Sequence, residues 1–179
     1  MSKTNNLIKS ALFVGIIIIS AFIKIPVGPV PIALTFFSVN TISLISDTKI
    51  AFLSVLSYIL IGLLGLPVFS FGGGVGYILT HSFGYLLGFL IVPVISGALK
   101  KKTFFKSNLY LKYILISIIN IFCIYLVGSV YAYFLSLIYF DTKVEIFNIL
   151  YFYVLLFIPG DAFSIFVSSY IAKRLKNVK

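Results

Sequence analysis

The stretch Ala11–Ile23 reads ALFVGIIIISAFI, and Tyr113–Val127 reads YILISIINIFCIYLV. Neither run alternates apolar and polar side chains. In lipid, only helices and closed barrels satisfy every backbone donor and acceptor. A barrel strand would alternate over about ten positions. These runs do not, so the chain reads as a bundle of membrane helices. The composition agrees: 61% of the 179 residues are hydrophobic and 10% are charged. A soluble domain carries about 25% charged residues.

Extended along the chain, the same reading predicts six helices, over Leu7–Ile25, Ile32–Ser46, Ile50–Leu66, Tyr77–Leu99, Tyr110–Tyr139 and Ile149–Ala172. A full crossing takes about 20 residues. The second and third runs are short for that and need tilting or shielding by neighbours, or are not full spans. The fifth is long enough to extend beyond the bilayer. A single domain, residues 1–179, is expected. The first run has no clear small-x-small cleavage site and is expected to be retained.

The net charge of +10 does not point to nucleic acid, because the basic residues lie in short gaps between apolar runs. With both ends on one side, that side holds Lys3, Lys9, Lys49, Lys100, Lys101, Lys102, Lys106, Lys112, Lys173, Arg174, Lys176 and Lys179. The other side holds Lys24 and Lys143. Twelve against two predicts cytoplasmic termini by the positive-inside rule. The single cysteine, Cys123, lies within an apolar run and reads as packing.

Asp161 is the only carboxylate inside a long apolar run, and Pro159-Gly160 directly precedes it. The other three acids, Asp47, Asp141 and Glu145, fall in gaps between runs. A carboxylate at membrane depth costs about 2.5–3.5 kcal/mol even on lenient insertion scales. The reading preferred here is that Asp161 holds a polar ligand, a proton or an ion. The plainer alternative is an aspartate near the membrane surface that caps a half-helix.

Two loops on the Lys24 side carry unusual chemistry. The first, Ile25–Pro31, has three prolines in six residues, Pro26, Pro29 and Pro31. Proline fixes φ and removes a donor, so this segment is stiff. It reads equally as the wall of a pocket or as a plain helix stop. The second loop, Leu66–Tyr77, has four glycines in five residues, Gly72, Gly73, Gly74 and Gly76. Glycine admits positive φ and lets backbone approach a ligand closely. With the fourth helix predicted from Tyr77, its free N–H groups would face this loop and favour a carbonyl or carboxylate. The aromatics Phe69, Phe71 and Tyr77 favour a binding loop over a flexible connector. His81 and Ser82 would lie one turn into that helix, where His81 could bind a ligand or cap a carbonyl.

Several chemistries are excluded. No Gly-Lys-Ser/Thr follows the glycines, so the loop is not a phosphate-binding loop. An intramembrane aspartyl protease needs a second membrane carboxylate beside Asp161. Ser82 and His81 are adjacent and point different ways, so they make no hydrolase pair. One His and one distant Cys are too few for a metal site. No enzyme and no cofactor are expected. A proton-coupled carrier stays open, since Asp161 could relay a proton, although no inverted repeat is evident.

Three segments together resemble the BioY family. They are Ile23–Ile32 with its prolines, Gly62–Phe69 running into Gly72–Tyr77, and Ile158-Pro159-Gly160-Asp161. BioY proteins are the biotin-binding S components of energy-coupling factor transporters. The resemblance implies an all-α, six-helix capture subunit of the bacterial cytoplasmic membrane. Asp161 would accept hydrogen bonds from the ureido N–H groups of biotin. Tyr77, Phe71 and the loop glycines Gly73, Gly74 and Gly76 would pack on the ligand, and Pro29 would contribute from the stiff first loop. The implied partners are a membrane coupling protein and two ABC ATPases, as the chain has no ATP-binding motif. Ala11 and Gly15, small residues four apart, match the family's contact with the coupling protein.

Two departures stand out. Many relatives have Lys three residues after the pocket Asp, where this chain has Ser164. The family's Pro-Thr-Gly-Gly-Tyr reads His81-Ser82-Phe83-Gly84-Tyr85 here. The ligand's carboxylate then has no obvious cation, unless His81 or Lys24 substitutes. A biotin precursor or another vitamin stays open as the ligand.

Overall fold

The computed structural model describes residues 3–25, 32–102, 108–139, 147 and 151–177. Pro29 and most of the first loop, together with Lys106, Asp141, Lys143, Glu145 and Lys179, lie outside the described residues. Six α-helices are present among the described residues: α1 Lys3–Phe22, α2 Thr35–Ile45, α3 Thr48–Leu63, α4 Phe83–Lys101, α5 Leu109–Ile138 and α6 Ile158–Asn177. Besides them, β1 (Lys24–Ile25) pairs antiparallel with β2 (Ile32–Ala33), which closes the base of the proline loop.

Among the described residues, three helices carry apolar stretches long enough to cross a membrane: Thr4–Phe22, Phe83–Lys101 and Leu109–Ile138. Helix α2 does not. Its 11 residues reach about 16 Å, roughly half the hydrocarbon core. It survives by shielding: Phe36, Val39, Asn40, Ile42 and Ser43 are all buried, against α1, α4 and α6. Helix α5, with 30 residues, extends about 45 Å.

Small residues let α4 and α5 pack closely. A Cβ on Gly84 would come within 2.6 Å of Tyr131 Cβ, and one on Gly88 within 3.0 Å of Ile124 Cα. Spaced four apart, the two glycines let the backbones approach, as in other membrane helix pairs. A buried polar cluster then ties four helices. Asn40 of α2 donates to Ser117 of α5 (2.8 Å) and Ser168 of α6 (2.7 Å). Asn120 of α5 donates to Asn40 Oδ1 (2.9 Å) and to Ser96 of α4 (2.8 Å). All five are fully buried.

Two helix starts lie six residues or more from the sequence expectation. Helix α4 begins at Phe83, not Tyr77, because Val75–Leu79 forms a five-residue 3-10 helix that ends at an extended Thr80 (φ −109°, ψ 147°). His81 and Ser82 therefore precede the helix, and the N–H groups expected at Tyr77 belong to a tight turn rather than to a long helix. The last helix begins at Ile158 rather than Ile149. A proline ring clashes with the carbonyl four residues back, so Pro159 is accommodated only in a first turn. The chain ahead of it closes a π turn at Tyr151–Leu155.

Candidate functional site

Helices α1 and α6 run in opposite directions, and the far end of α1 meets the glycine loop. There Lys24 Nζ donates to the Ser70 carbonyl and lies 5.0 Å over the Phe71 ring. Beside this loop a cleft opens, with about 570 Å³ of atom-free space, part of it open to solvent.

The loop is a folded structure, not a slack connector. Phe69 and Gly72 exchange backbone hydrogen bonds (2.8 and 3.2 Å), and Gly74 N–H reaches back to the Gly62 carbonyl at 2.7 Å. Gly72 and Gly74 have φ of 111° and 100°, which side chains rarely adopt. A Cβ on Gly73 would collide with the Leu66 carbonyl. The tight course drives Phe69 inward, where it packs edge-on to Tyr58 (5.4 Å, 83°) and against Tyr77 (4.5 Å). Tyr77 is thereby fixed at the cleft wall, and its burial pushes the phenol above its ordinary range.

Asp161 stands in the first turn of α6 and lines the same cleft while only 8% exposed. A negative charge is favoured at a helix N-terminus. Its Oδ2 accepts a 2.5 Å hydrogen bond from the Tyr125 hydroxyl of α5. A carboxylate has about four lone-pair sites, so acceptor capacity remains for a ligand. Asp161 thus opens a helix, and it is buried against a cleft rather than placed on the surface. Tyr58, Tyr77, Tyr85, Phe36, Phe89 and Phe157 supply an aromatic lining, with Thr35, Ser70 and Ser82 as further polar groups. Such a cleft suits a compact ring body that presents N–H donors to a carboxylate.

Of the residues singled out in the sequence, Asp161 and Tyr77 line the cleft together. Gly73, Gly74 and Gly76 shape the adjoining loop, while Phe71 is exposed beneath Lys24. Ser164 is buried, and its hydroxyl bonds the Gly160 carbonyl at 2.9 Å. His81 Nε2 lies 3.0 Å from Ser136 Oγ of α5, and burial pushes the imidazole below its ordinary range. Ala11 is exposed on α1, and nothing lies within 4 Å of a Cβ added at Gly15. Sequence reasoning missed Tyr125, Tyr85 and Tyr58. Each sits in an apolar run where one tyrosine looks like any other, and only Tyr85 had a local signal, the Phe83-Gly84-Tyr85 segment. Among the described residues, no three His, Cys, Asp or Glu side chains converge to hold a metal ion.

Comparison with known proteins places this arrangement. The model of the BioY family matches residues 1–179. A probable biotin transporter BioY from Lysinibacillus sphaericus is 37% identical over 131 residues, which is 73% of this chain and 66% of that protein. The biotin transporter BioY of Lactococcus lactis subsp. cremoris is 31% identical over 180 residues, 97% of this chain and 92% of that one. The crystal structure of the S-component for biotin from an ECF-type ABC transporter superposes with a TM-score of 0.84 at 28% identity, covering 99% of this chain and 95% of the other.

Proposed function

The chain belongs to the BioY family, and on that premise we propose that it captures biotin as the S component of an energy-coupling factor transporter. The observation that carries the reading is the Tyr125–Asp161 pair in the wall of an aromatic cleft. The fused rings of biotin would lie among the tyrosines and phenylalanines. A ureido N–H would donate to the oxygen of Asp161 that Tyr125 leaves available, and charge-assisted hydrogen bonds are the stronger kind. The glycine loop, held by Phe69, would border the bound rings.

The ligand's carboxylate would point toward the mouth, where Lys24 is tethered to Ser70 beside the cleft. Ser164 cannot supply a cation, and its hydroxyl is turned onto its own helix. That observation favours one second reading, a biotin precursor or related vitamin that makes less demand on a cation.

The chain is a multi-pass membrane protein, and the bacterial cytoplasmic membrane is its proposed location. Cytoplasmic termini are supported by the lysine distribution, and Lys9 of α1 and Lys176 of α6 do line one cleft at the same end of the bundle. Energy would come from a coupling protein and two ABC ATPases. The exposed side of α1 with Ala11 and Gly15 offers a close-approach surface for the former. Titration calorimetry of the purified chain with biotin, dethiobiotin and an unrelated vitamin tests the reading. Biotin-selective binding is expected; a folded protein that ignores biotin but takes another vitamin would move the assignment within the S components.

A further inference from the structure

At the end of the bundle away from Asp161, a second and larger cleft of about 620 Å³ opens between α1, the α2–α3 elbow, α4, α5 and α6. Its charged groups are Lys9, Lys100, Lys112 and Lys176 against a single acid, Asp47. Lys176 is within electrostatic reach of both Lys100 and Lys112. Like charges gathered this way repel one another unless something compensates them.

Two of the lysines are already employed by the fold. Lys100 Nζ donates to the carbonyls of Ser43 (2.7 Å), Leu44 (3.3 Å) and Ser46 (2.7 Å), capping the C-terminus of α2. Lys112 Nζ donates to the carbonyls of Lys100 and Lys102, both at 2.7 Å, and so caps α4. Cations are favoured at helix C-termini, and these bonds hold the two ammonium groups at the cleft wall. Lys112 keeps one of its three N–H donors for something else. Lys9 and Lys176 are exposed on the rim.

We propose that this cleft binds the phosphate-bearing headgroup of an anionic membrane lipid, with Lys9, Lys112 and Lys176 around the phosphate. Two observations favour a lipid over a free phosphate. Lys100 and Lys112 sit at the ends of the apolar stretches Phe83–Lys101 and Leu109–Ile138, Lys9 lies in the second turn of Thr4–Phe22, and Lys176 is in the last turn of α6, so the group gathers at one end of the bundle, which is where headgroups lie. The remaining wall is apolar, with Phe13, Leu44, Ile45, Ile50 and Leu175, and it would take the first carbons of an acyl chain. Basic pockets between membrane helices hold lipid headgroups in this way.

The test is native mass spectrometry of the purified chain titrated with phosphatidylglycerol or phosphatidylcholine, on wild type and on the Lys9→Gln/Lys176→Gln variant. Both positions are exposed and cap no helix, and circular dichroism checks that the variant is folded. Each lysine near a headgroup contributes roughly a fivefold preference, so the double change should weaken phosphatidylglycerol binding about 25-fold. Lys24→Gln, at the opposite end, should leave it unchanged. Equal binding of the two lipids, or a folded double variant that retains phosphatidylglycerol, would overturn the site. Full displacement of the lipid by excess inorganic phosphate would overturn the lipid assignment and make the cleft a free-phosphate site.

Discussion

Asp161→Asn isolates the charge at the proposed binding site. Asparagine keeps the volume of the side chain, and Asp161 is 8% exposed, so the packing around it should hold. What changes is the hydrogen bonding. One carboxylate oxygen is committed to the Tyr125 hydroxyl at 2.5 Å. If the introduced amide oxygen takes over that bond, the NH2 group faces the ligand and meets an N–H donor with another donor. If the amide flips, its oxygen faces the ligand, but the bond there is neutral. In either orientation one charge-assisted hydrogen bond is lost. Bonds to charged groups are worth about 1.5–3 kcal/mol. Biotin affinity should therefore fall about 10- to 150-fold. Calorimetry reads the affinity, and a thermal melt of the ligand-free protein reads the fold, which should stay intact. Lys101→Ala, exposed at the far end of α4, serves as the control and should bind as wild type. Unchanged affinity in a folded Asp161→Asn protein would overturn this account and remove Asp161 from the site.

Other perturbations probe separate parts of the molecule. Asn40→Ala removes three interhelical bonds, to Ser117, Ser168 and Asn120. At about 0.6 kcal/mol each, the bundle should lose about 2 kcal/mol in denaturant unfolding; a loss near zero would show that the cluster does not hold the helices together. Gly73→Val would drive a side chain into the Leu66 carbonyl and should weaken biotin binding more than tenfold with helical content unchanged. Gly76→Ala, with nothing within 4 Å of the added carbon, should bind nearly as wild type, and the reverse ranking would contradict the loop geometry. His81 lies ahead of the α4 span, and burial lowers its pKa in the folded state. The unfolded chain then takes up the proton more readily, so stability present above about pH 6.5 should decline on acidification. Melting curves from pH 7 to pH 5 should show that decline in wild type, and His81→Gln should flatten it.

Several mismatches between expectation and structure have local causes. The break before α6 had a signal in Pro159, which cannot sit inside a continuous helix, but the apolar run Ile149–Ala172 read as one helix through it. The late start of α4 had a weaker signal. The glycines announce an irregular loop, but the extended Thr80 that separates the 3-10 helix from α4 carries no comparable signal. The lysines illustrate a different gap. Counted along the chain, they carry an expected orientation; in three dimensions, Lys100 and Lys112 cap the ends of α2 and α4.

The class of solvent and the number of helices could be read along the chain alone. Hydropathy is a local property, and a long apolar run has to satisfy its backbone internally wherever it lies in the bundle. Asp161 stood out in the same way, since a lone carboxylate in such a run is costly whatever surrounds it. What Asp161 meets is settled only in three dimensions. Tyr125 lies 36 residues away, on a helix that is apolar on nearly every face. With so little amphipathic pattern, nothing in α5 says which way it is rotated. That rotation is set where Gly84 and Gly88 admit the α5 backbone and where Asn120 reaches Asn40. The same contacts turn Tyr125 toward Asp161, because one rigid helix carries them all.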